Sequence, residues 1–214
     1  MDGTLLDTEK IWDISLADLA IRLGGRLTDS VREAMVGSNQ EATLRIMFEH
    51  LGIEPTPKAF ADADRWLVER TAELFGGALP WRPGARDALH DVSRANVPMA
   101  LVTSTMRELT ELALNTIGRE MFAATVCGDE VDGNNKPHPE PYLRAARSLG
   151  VPATECVAIE DSPTGVSSAV AAGCVVLAVP CEVPLAEGER RVLLRESLAG
   201  VDMDVLRGLG AVVG

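Results

Sequence analysis

The chain has 214 residues, 46% of them hydrophobic and 24% charged, and its formal net charge is -12 at pH 7. This length fits one large domain or one domain with an insertion, and the composition is that of a globular protein. The acidic excess argues against nucleic acid and membranes as partners, because nothing offsets the repulsion between the chain and phosphate groups. No apolar run is long enough to span a bilayer.

The first part of the chain, after a short polar stretch, shows helical periodicity. Trp12, Leu16, Leu19 and Leu23 recur on one face of a predicted helix that ends at Gly24-Gly25. Two further helices are predicted in this part of the chain, at residues 40–51 and 59–74, and a short stretch at 31–36 follows Thr28-Asp29-Ser30. Because residues 11–79 contain no strand candidate, we expect an all-helical domain there.

From residue 80 onwards, helices alternate with short apolar runs. The predicted strands of this part lie at residues 97–102, 124–127, 156–159 and 174–179, with a possible edge strand at 190–194. The predicted helices lie at residues 85–95, 107–117, 141–149, 166–172 and 201–209. This alternation predicts a parallel sheet covered by helices on both faces, with its ligand site beyond the carboxyl ends of the strands.

The four cysteines show no metal-ligand pairing, and three of them lie in apolar, strand-like surroundings where cysteine acts as a small hydrophobe. Acidic residues occupy the positions where a signal peptide would have a basic and then an apolar region. We therefore expect reduced thiols and a cytoplasmic protein. We also expect a monomer.

Three polar clusters follow predicted strands. Thr103-Ser104 precede a helix, where hydroxyls and free backbone N–H groups suit a phosphate; a plain helix cap is the alternative. Lys136 lies among three prolines that restrict its loop, and it would supply the local cation that an anionic substrate needs. Glu160-Asp161 are adjacent carboxylates at a strand end, and Mg²⁺ would offset their repulsion and lost hydration; a capped helix start is the alternative.

The opening stretch, Met1 to Glu9, places Asp2 on a glycine-containing turn that Thr4 follows. Together with Thr103-Ser104, with Lys136-Pro137-His138-Pro139-Glu140-Pro141 and with Glu160-Asp161-Ser162-Pro163-Thr164-Gly165, it resembles the haloacid dehalogenase-like (HAD) hydrolases. The motifs occur in the order of that family, and the resemblance covers essentially the whole chain. It is strongest to the branch that contains β-phosphoglucomutase and phosphoglycolate phosphatase.

The resemblance implies an α/β fold: a Rossmann-like parallel-sheet core covered by helices, with an inserted all-helical cap domain. The core would comprise residues 1–10 and 80–214, and the cap residues 11–79. It also implies a Mg²⁺-dependent phosphatase that hydrolyses small phosphomonoesters through an aspartyl-phosphate. Its partner would be a small phosphorylated metabolite.

The site roles that follow from the resemblance can be stated residue by residue. Asp2 is the general acid/base, and Lys136 is the second catalytic residue. Thr103, Ser104 and Lys136 bind the phosphoryl group. Mg²⁺ is bound by the Asp2 backbone carbonyl and by Glu160 and Asp161. Thr4 fixes the turn of the first motif.

The family motif begins with a nucleophilic aspartate two residues before Asp2, a position that lies before Met1. We therefore expect a natural start further upstream, and an inactive, marginally stable chain as written. A missing central strand would leave unpaired backbone groups in the core, each costing roughly 1–3 kcal/mol against a total stability of about 5–15 kcal/mol. The alternative is a catalytically dead binding or regulatory relative.

The cap is expected to choose the substrate. Mutases of this branch carry a phosphate-binding arginine near the position of Gln40, and a neutral amide would bind a second phosphate poorly. This favours a phosphatase over a sugar phosphomutase, which stays an alternative. Trp12 is a candidate to line the cap side of the site, although a structural role would explain it equally well.

Overall fold

A computed structural model describes residues 1–185 and 191–212 of the chain. Its helices are α1 (Glu9–Arg22), α2 (Asp29–Met35), α3 (Gln40–Leu51), α4 (Pro57–Phe75), α5 (Ala85–Arg94), α6 (Arg107–Ile117), α7 (Glu140–Leu149), α8 (Pro163–Ala172) and α9 (Met203–Val212). Its strands are β1 (Ala100–Val102), β2 (Ala124–Val126), β3 (Val157–Glu160), β4 (Val175–Ala178) and β5 (Val192–Leu194). The predicted edge strand is thus β5, and Arg190 lies outside the described residues.

Local sequence explains where the early helices begin and end. The Asn39 side chain accepts a hydrogen bond from the backbone N–H of Ala42 and so caps α3. This helix ends at Gly52, whose φ of 65° is readily adopted by glycine. Thr56 caps α4 in the same way, and Pro57 occupies its first turn.

The strands form two parallel sheets in the described part of the chain. One sheet pairs β1 with β2, and the other has the order β3-β4-β5. The parallel α/β architecture is as predicted, but the strands are divided between two sheets where we expected one, because no described strand pairs with both β1 and β3. Residues of the first motif contribute only isolated bridges, from Asp2 to Leu6 and from Leu6 to Trp81.

The apolar interior consists of several clusters, and α4 contributes to two of them. Ala63 and Leu67 pack with the side chains of α1 and α3 in a purely helical cluster. Val68 and Phe75, further along α4, pack in the cluster that contains Leu101 of β1. Residues 11–79 are therefore helical as expected, but α4 joins them to the sheet region, and the domain boundaries stay a prediction.

No helix within the described ranges combines the length and the apolar character that crossing a membrane requires. All four cysteines are free thiols.

Candidate active site

A cavity of about 100 Å³ lies between the early helices and the carboxyl ends of β1 and β3. The parallel strands bring their polar end residues to this edge. Every site residue that the sequence analysis selected lines the cavity: Asp2, Trp12, Gln40, Thr103, Ser104, Lys136, Glu160 and Asp161. Segments that are far apart in sequence therefore meet at one place.

The Asp2 carboxylate is held by three hydrogen-bond donors. Its Oδ1 accepts from Thr8 Oγ1 at 2.6 Å and from Trp12 Nε1 at 3.2 Å. Its Oδ2 accepts from Thr105 Oγ1 at 2.8 Å. These donors come from α1, from the residue that precedes it and from the loop after β1, so the carboxylate is fixed from both sides of the cavity.

Lys136 and Glu160 form a buried ion pair. The Lys136 ammonium donates to Glu160 Oε1 and, at 3.3 Å, to the carbonyl oxygen of Val102 at the end of β1. The Tyr142 hydroxyl donates to the same Glu160 oxygen. The two charged side chains are only 7% and 5% exposed, so Lys136 is a desolvated cation and not a solvated surface lysine.

The environment shifts the pKa values of this group. Burial opposes ionisation of Glu160, but the charge and hydrogen bond of Lys136, together with the hydrogen bond from Tyr142, hold the pKa of that carboxyl below its usual range. Burial, followed by the charge of Glu160, raises the pKa of Tyr142 well above that of a free phenol. Tyr142 therefore keeps its proton and remains a donor.

Asp161 lies in a different environment from its neighbour. Its Oδ1 accepts a hydrogen bond from Thr4 Oγ1, so Thr4 joins the first motif to the end of β3. Gly3, with a φ of 66°, allows the close approach: a Cβ there would lie 2.3 Å from Asp161 Oδ2. Burial raises the pKa of Asp161, and the Glu160 carboxylate adds to that effect.

The loop between α2 and α3 covers the cavity. The carbonyl oxygen of Gly37 accepts hydrogen bonds from Thr164 Oγ1 at 3.1 Å and from Ser104 Oγ at 3.4 Å. Gln40, at the start of α3, donates through Nε2 to Asp64 Oδ1 at 2.6 Å. This side chain is therefore tied to α4 while it lines the cavity.

The two predicted phosphate-binding hydroxyls already have partners. Thr103 Oγ1 accepts a hydrogen bond from the backbone N–H of Thr105 at 3.1 Å, a contact within the same loop. Ser104 Oγ donates to the carbonyl oxygen of Gly37. Both residues line the cavity, so the phosphate-binding prediction and the capping alternative both stay open.

The polar residues at the site that were not selected from the sequence include Thr8, Glu9, Arg32, Thr105 and Tyr142. Thr8 and Glu9 belong to the opening motif, and Thr105 directly follows Thr103-Ser104. These three residues could therefore have been selected from their positions in or next to the motifs. Tyr142 and Arg32 reach the site by long-range contacts that have no local signature.

The donor groups fit a hard cation that keeps most of its water ligands. No three His, Cys, Asp or Glu side chains of the described residues come close enough to form a metal site by themselves. Mg²⁺ typically uses only one or two protein carboxylates. Asp161 supplies a buried carboxylate, and the Asp2 carbonyl oxygen accepts no hydrogen bond from the residues that the structure describes.

Glu160 fits that role less well, because Lys136 and Tyr142 already occupy its Oε1. Its contacts support a role in orienting Lys136 beside the cation site. The prediction that Glu160 is itself a metal ligand is not tested by these contacts.

Comparison with known proteins shows which family and which relatives the chain is similar to. The family model for haloacid dehalogenase-like hydrolases matches residues 1–179. Hexitol phosphatase A of Escherichia coli is 38% identical over 198 residues, which cover 86% of this chain and 83% of that protein. The probable pseudouridine-5'-phosphatase of Drosophila melanogaster is 33% identical over 190 residues, covering 84% and 79%.

A solved structure shows the same arrangement along almost the whole chain. CbbY from Rhodobacter sphaeroides, in complex with xylulose-(1,5)bisphosphate, superposes with a TM-score of 0.84 at 28% identity. The match covers 96% of each of the two chains. The similarity therefore includes the helices over the cavity as well as the sheet region.

Proposed function

Because the chain belongs to the haloacid dehalogenase-like hydrolase family, we propose that it is a phosphatase of small phosphomonoesters. The observation that carries this proposal is the meeting of a fixed carboxylate, Asp2, with a buried cation, Lys136, in one small cavity. The similar proteins named as phosphatases of hexitols and of pseudouridine 5'-phosphate support the same reaction class.

The phosphoryl group is proposed to bind at the carboxyl end of β1. Lys136 supplies positive charge in a chain whose net charge is -12, and its burial strengthens the attraction to a phosphate oxygen. Thr103 and Ser104 would donate their hydroxyls to the same phosphoryl oxygens, and Ser104 could also donate its backbone N–H; the Thr103 N–H already donates to the carbonyl oxygen of Val126 at 3.0 Å. Glu160 and Tyr142 would keep the Lys136 side chain in place.

Asp2 is proposed as the general acid/base. It would protonate the leaving oxygen of the ester while the phosphoryl group passes to the nucleophilic aspartate that the family motif places two residues before Asp2. It would then take a proton from the water that hydrolyses this aspartyl-phosphate and frees the nucleophile. Thr8, Trp12 and Thr105 would keep its carboxylate in the geometry that proton transfer needs. Trp12 thus acquires a positioning role in addition to its place in the cavity lining.

The proposed cofactor is Mg²⁺. Asp161 and the Asp2 backbone carbonyl are the groups that would hold it, with Glu160 as the remaining candidate. When bound, the cation would offset negative charge on the phosphate and its acceptor. Asp161 is kept in place for this by Thr4 and by the close approach of Gly3.

The helices over the cavity are proposed to act as a cap that selects the ester, and we assign residues 11–79 to it. The small cavity favours a small phosphorylated metabolite over a polymer. The net charge supports the absence of nucleic acid and anionic membranes among its partners. The free cysteines suit a cytoplasmic protein, and a monomer stays our prediction.

The test is hydrolysis of p-nitrophenyl phosphate with and without Mg²⁺. The assay compares this chain with the same chain extended through its upstream codons. We expect Mg²⁺-dependent turnover by the extended form, abolished by Asp2→Asn. A folded extended form that is inert toward this ester and toward a panel of phosphomonoesters would favour the catalytically dead alternative.

The CbbY complex contains a bisphosphate, which suggests the alternative that the substrate of this chain carries a second phosphate. Such a substrate would also suit a phosphomutase. Gln40 does not support it, because its amide is neutral and is bound to Asp64.

A further inference from the structure

The cavity contains a second charged group, which the proposed chemistry does not use. Glu9 begins α1, and its Oε2 accepts a hydrogen bond from Arg32 Nη2 of α2 at 2.8 Å. The Nε of the same guanidinium donates to Asp13 Oδ1 at 2.6 Å. The Arg32 and Glu9 side chains are 18% and 11% exposed, and both line the cavity, whereas Asp13 is half-exposed.

These three side chains together carry no net positive charge, whether or not Glu9 is protonated. Arg32 is one of two cationic side chains among the cavity-lining residues that the structure describes, and the other is Lys136. Because two carboxylates already contact Arg32, an additional anion would meet a neutral or negative group there. A second phosphate or a carboxylate is therefore disfavoured at this position.

The same side chains retain hydrogen-bonding capacity for a neutral partner. Glu9 Oε1 accepts no hydrogen bond from any residue in the described ranges. A guanidinium has five N–H donors, and two nitrogens of Arg32 are used here. A hydroxyl group both donates and accepts, so it can donate to Glu9 and accept from Arg32 at the same time.

We propose that Glu9 and Arg32 form the subsite for the hydroxyl groups of a neutral, polyhydroxylated leaving group. This inference rests on the proposed phosphatase function, and it specifies the substrate class: phosphate esters of small polyols, with no second anionic group. The apolar side chains of Trp12, Leu16 and Met35 line the same cavity and would contact the carbon chain. A purely structural ion pair between α1 and α2 would instead leave ligand choice unaffected.

The test is isothermal titration calorimetry on the full chain in buffer that contains MgCl₂, with three probes. Inorganic phosphate reports the phosphate subsite alone. Glycerol 3-phosphate and 3-phosphoglycerate share a three-carbon skeleton, and differ in a terminal hydroxymethyl or carboxylate group. We expect glycerol 3-phosphate to bind about tenfold more tightly than either of the other probes, because only it satisfies Glu9 and Arg32 without added charge.

The titrations are run at pH 8, above the pKa of about 7 to which burial raises the Glu9 carboxyl, so the variant Glu9→Gln removes one of the two negative charges next to Arg32. We expect the dissociation constant of 3-phosphoglycerate to fall by at least about fivefold relative to that of glycerol 3-phosphate, because fewer negative charges then offset the charge of Arg32. Glu41→Gln is the matched control, because Glu41 forms an ion pair with Arg45 of α3 that is exposed on both sides. This control should keep the wild-type ratio.

The outcomes separate the two proposals. If none of the probes binds, including inorganic phosphate, the proposed function is wrong. If phosphate binds but 3-phosphoglycerate binds as tightly as glycerol 3-phosphate, only the present inference is overturned. If a folded Glu9→Gln variant keeps the wild-type ratio of the two dissociation constants, the inference is also overturned. If that variant does not fold, the comparison of the probes on the wild-type protein alone decides whether the inference holds.

Discussion

At the scale of single residues, the carboxylates that line the cavity differ in their hydrogen-bond and ion-pair partners. Asp2 has three neutral donors, Glu160 has a buried ammonium, and Asp161 has one hydroxyl. Glu9 has a guanidinium, but burial still dominates and raises the pKa of its carboxyl to about 7. The same functional group thus acquires different proton affinities within one cavity.

The raised pKa of Glu9 predicts a specific dependence of stability on pH. The carboxyl has a usual pKa of 4.5, so its protonated form favours folding, and this contribution is fully present below pH 4.5. It is lost as the pH rises through about 7. Relative to Glu9→Gln, we expect the wild-type free energy of unfolding to fall by up to about 3 kcal/mol between pH 4.5 and pH 8.

Denaturant unfolding of the wild type and of Glu9→Gln at several pH values measures this difference in free energy of unfolding. The contributions of the other titrating groups are nearly the same in both proteins and largely cancel. Glu41→Gln should give a curve parallel to the wild type, because that carboxylate is exposed. A wild type that gains stability over Glu9→Gln as the pH rises would contradict the prediction.

Which site residues could be predicted from the sequence depends on how far their partners lie along the chain. Thr103 and Asp161 directly follow β1 and β3, and the carboxyl ends of parallel strands are where ligand sites form. Asp2 and Lys136 lie outside the strands, and their place in the site was predicted from the family motifs. Arg32 reaches Glu9 from 23 positions away, and only the packing of two helices determines that contact. No local sequence pattern indicates this contact.

At the scale of elements, the junction of β3 with α8 depends on Gly165. A Cβ on this residue would lie 2.0 Å from Glu160 Oε2, so the absence of a side chain lets the buried carboxylate lie against the helix. The Ser162 side chain caps the same helix by accepting the Gly165 backbone N–H at 3.2 Å.

Gly165→Ala is therefore expected to destabilise the protein by about 2 kcal/mol or more, because Glu160 would have to move away from Lys136. Gly208→Ala is the matched change in α9, where a Cβ would meet nothing within 4 Å among the described residues. That substitution should raise stability by about 0.5–1 kcal/mol, through helix propensity. Thermal unfolding measures both, and equal effects would refute the packing argument.

Element boundaries show why helices were easier to predict than strands. α3 and α6 have their predicted bounds, because caps and periodicity are local properties. The predicted strand at 97–102 is shortened to β1, since strand ends depend on hydrogen bonds with a distant neighbour. The division into two sheets depends on such pairing as well, and periodicity carries no information about it.

At the scale of the whole molecule, the loop at Gly37 joins the early helices to the sheet region across the cavity. Its carbonyl oxygen is held by hydroxyls of Thr164 and Ser104, which follow β3 and β1 respectively. A Cβ on Gly37 would lie 2.6 Å from Thr164 Oγ1, so this contact also depends on a glycine.

Removing the shorter of these hydrogen bonds should weaken closure over a ligand. With a net contribution of about 1 kcal/mol for one hydrogen bond, Thr164→Val is expected to raise the dissociation constant of glycerol 3-phosphate about fivefold. Hydrogen exchange at residues 36–40 should become faster. Ser148→Ala, on the exposed side of α7, is the control, and unchanged affinity and exchange in Thr164→Val would mean that the contact is incidental.

The position of α4 in two apolar clusters has a consequence for how the protein melts. Ala63 and Leu67 are buried with the early helices, and Val68 and Phe75 are buried with the sheet region. One rigid helix of 19 residues therefore serves both regions. Melting of either region would expose part of the buried face of α4, so heat should disrupt the helical and sheet regions in a single cooperative transition.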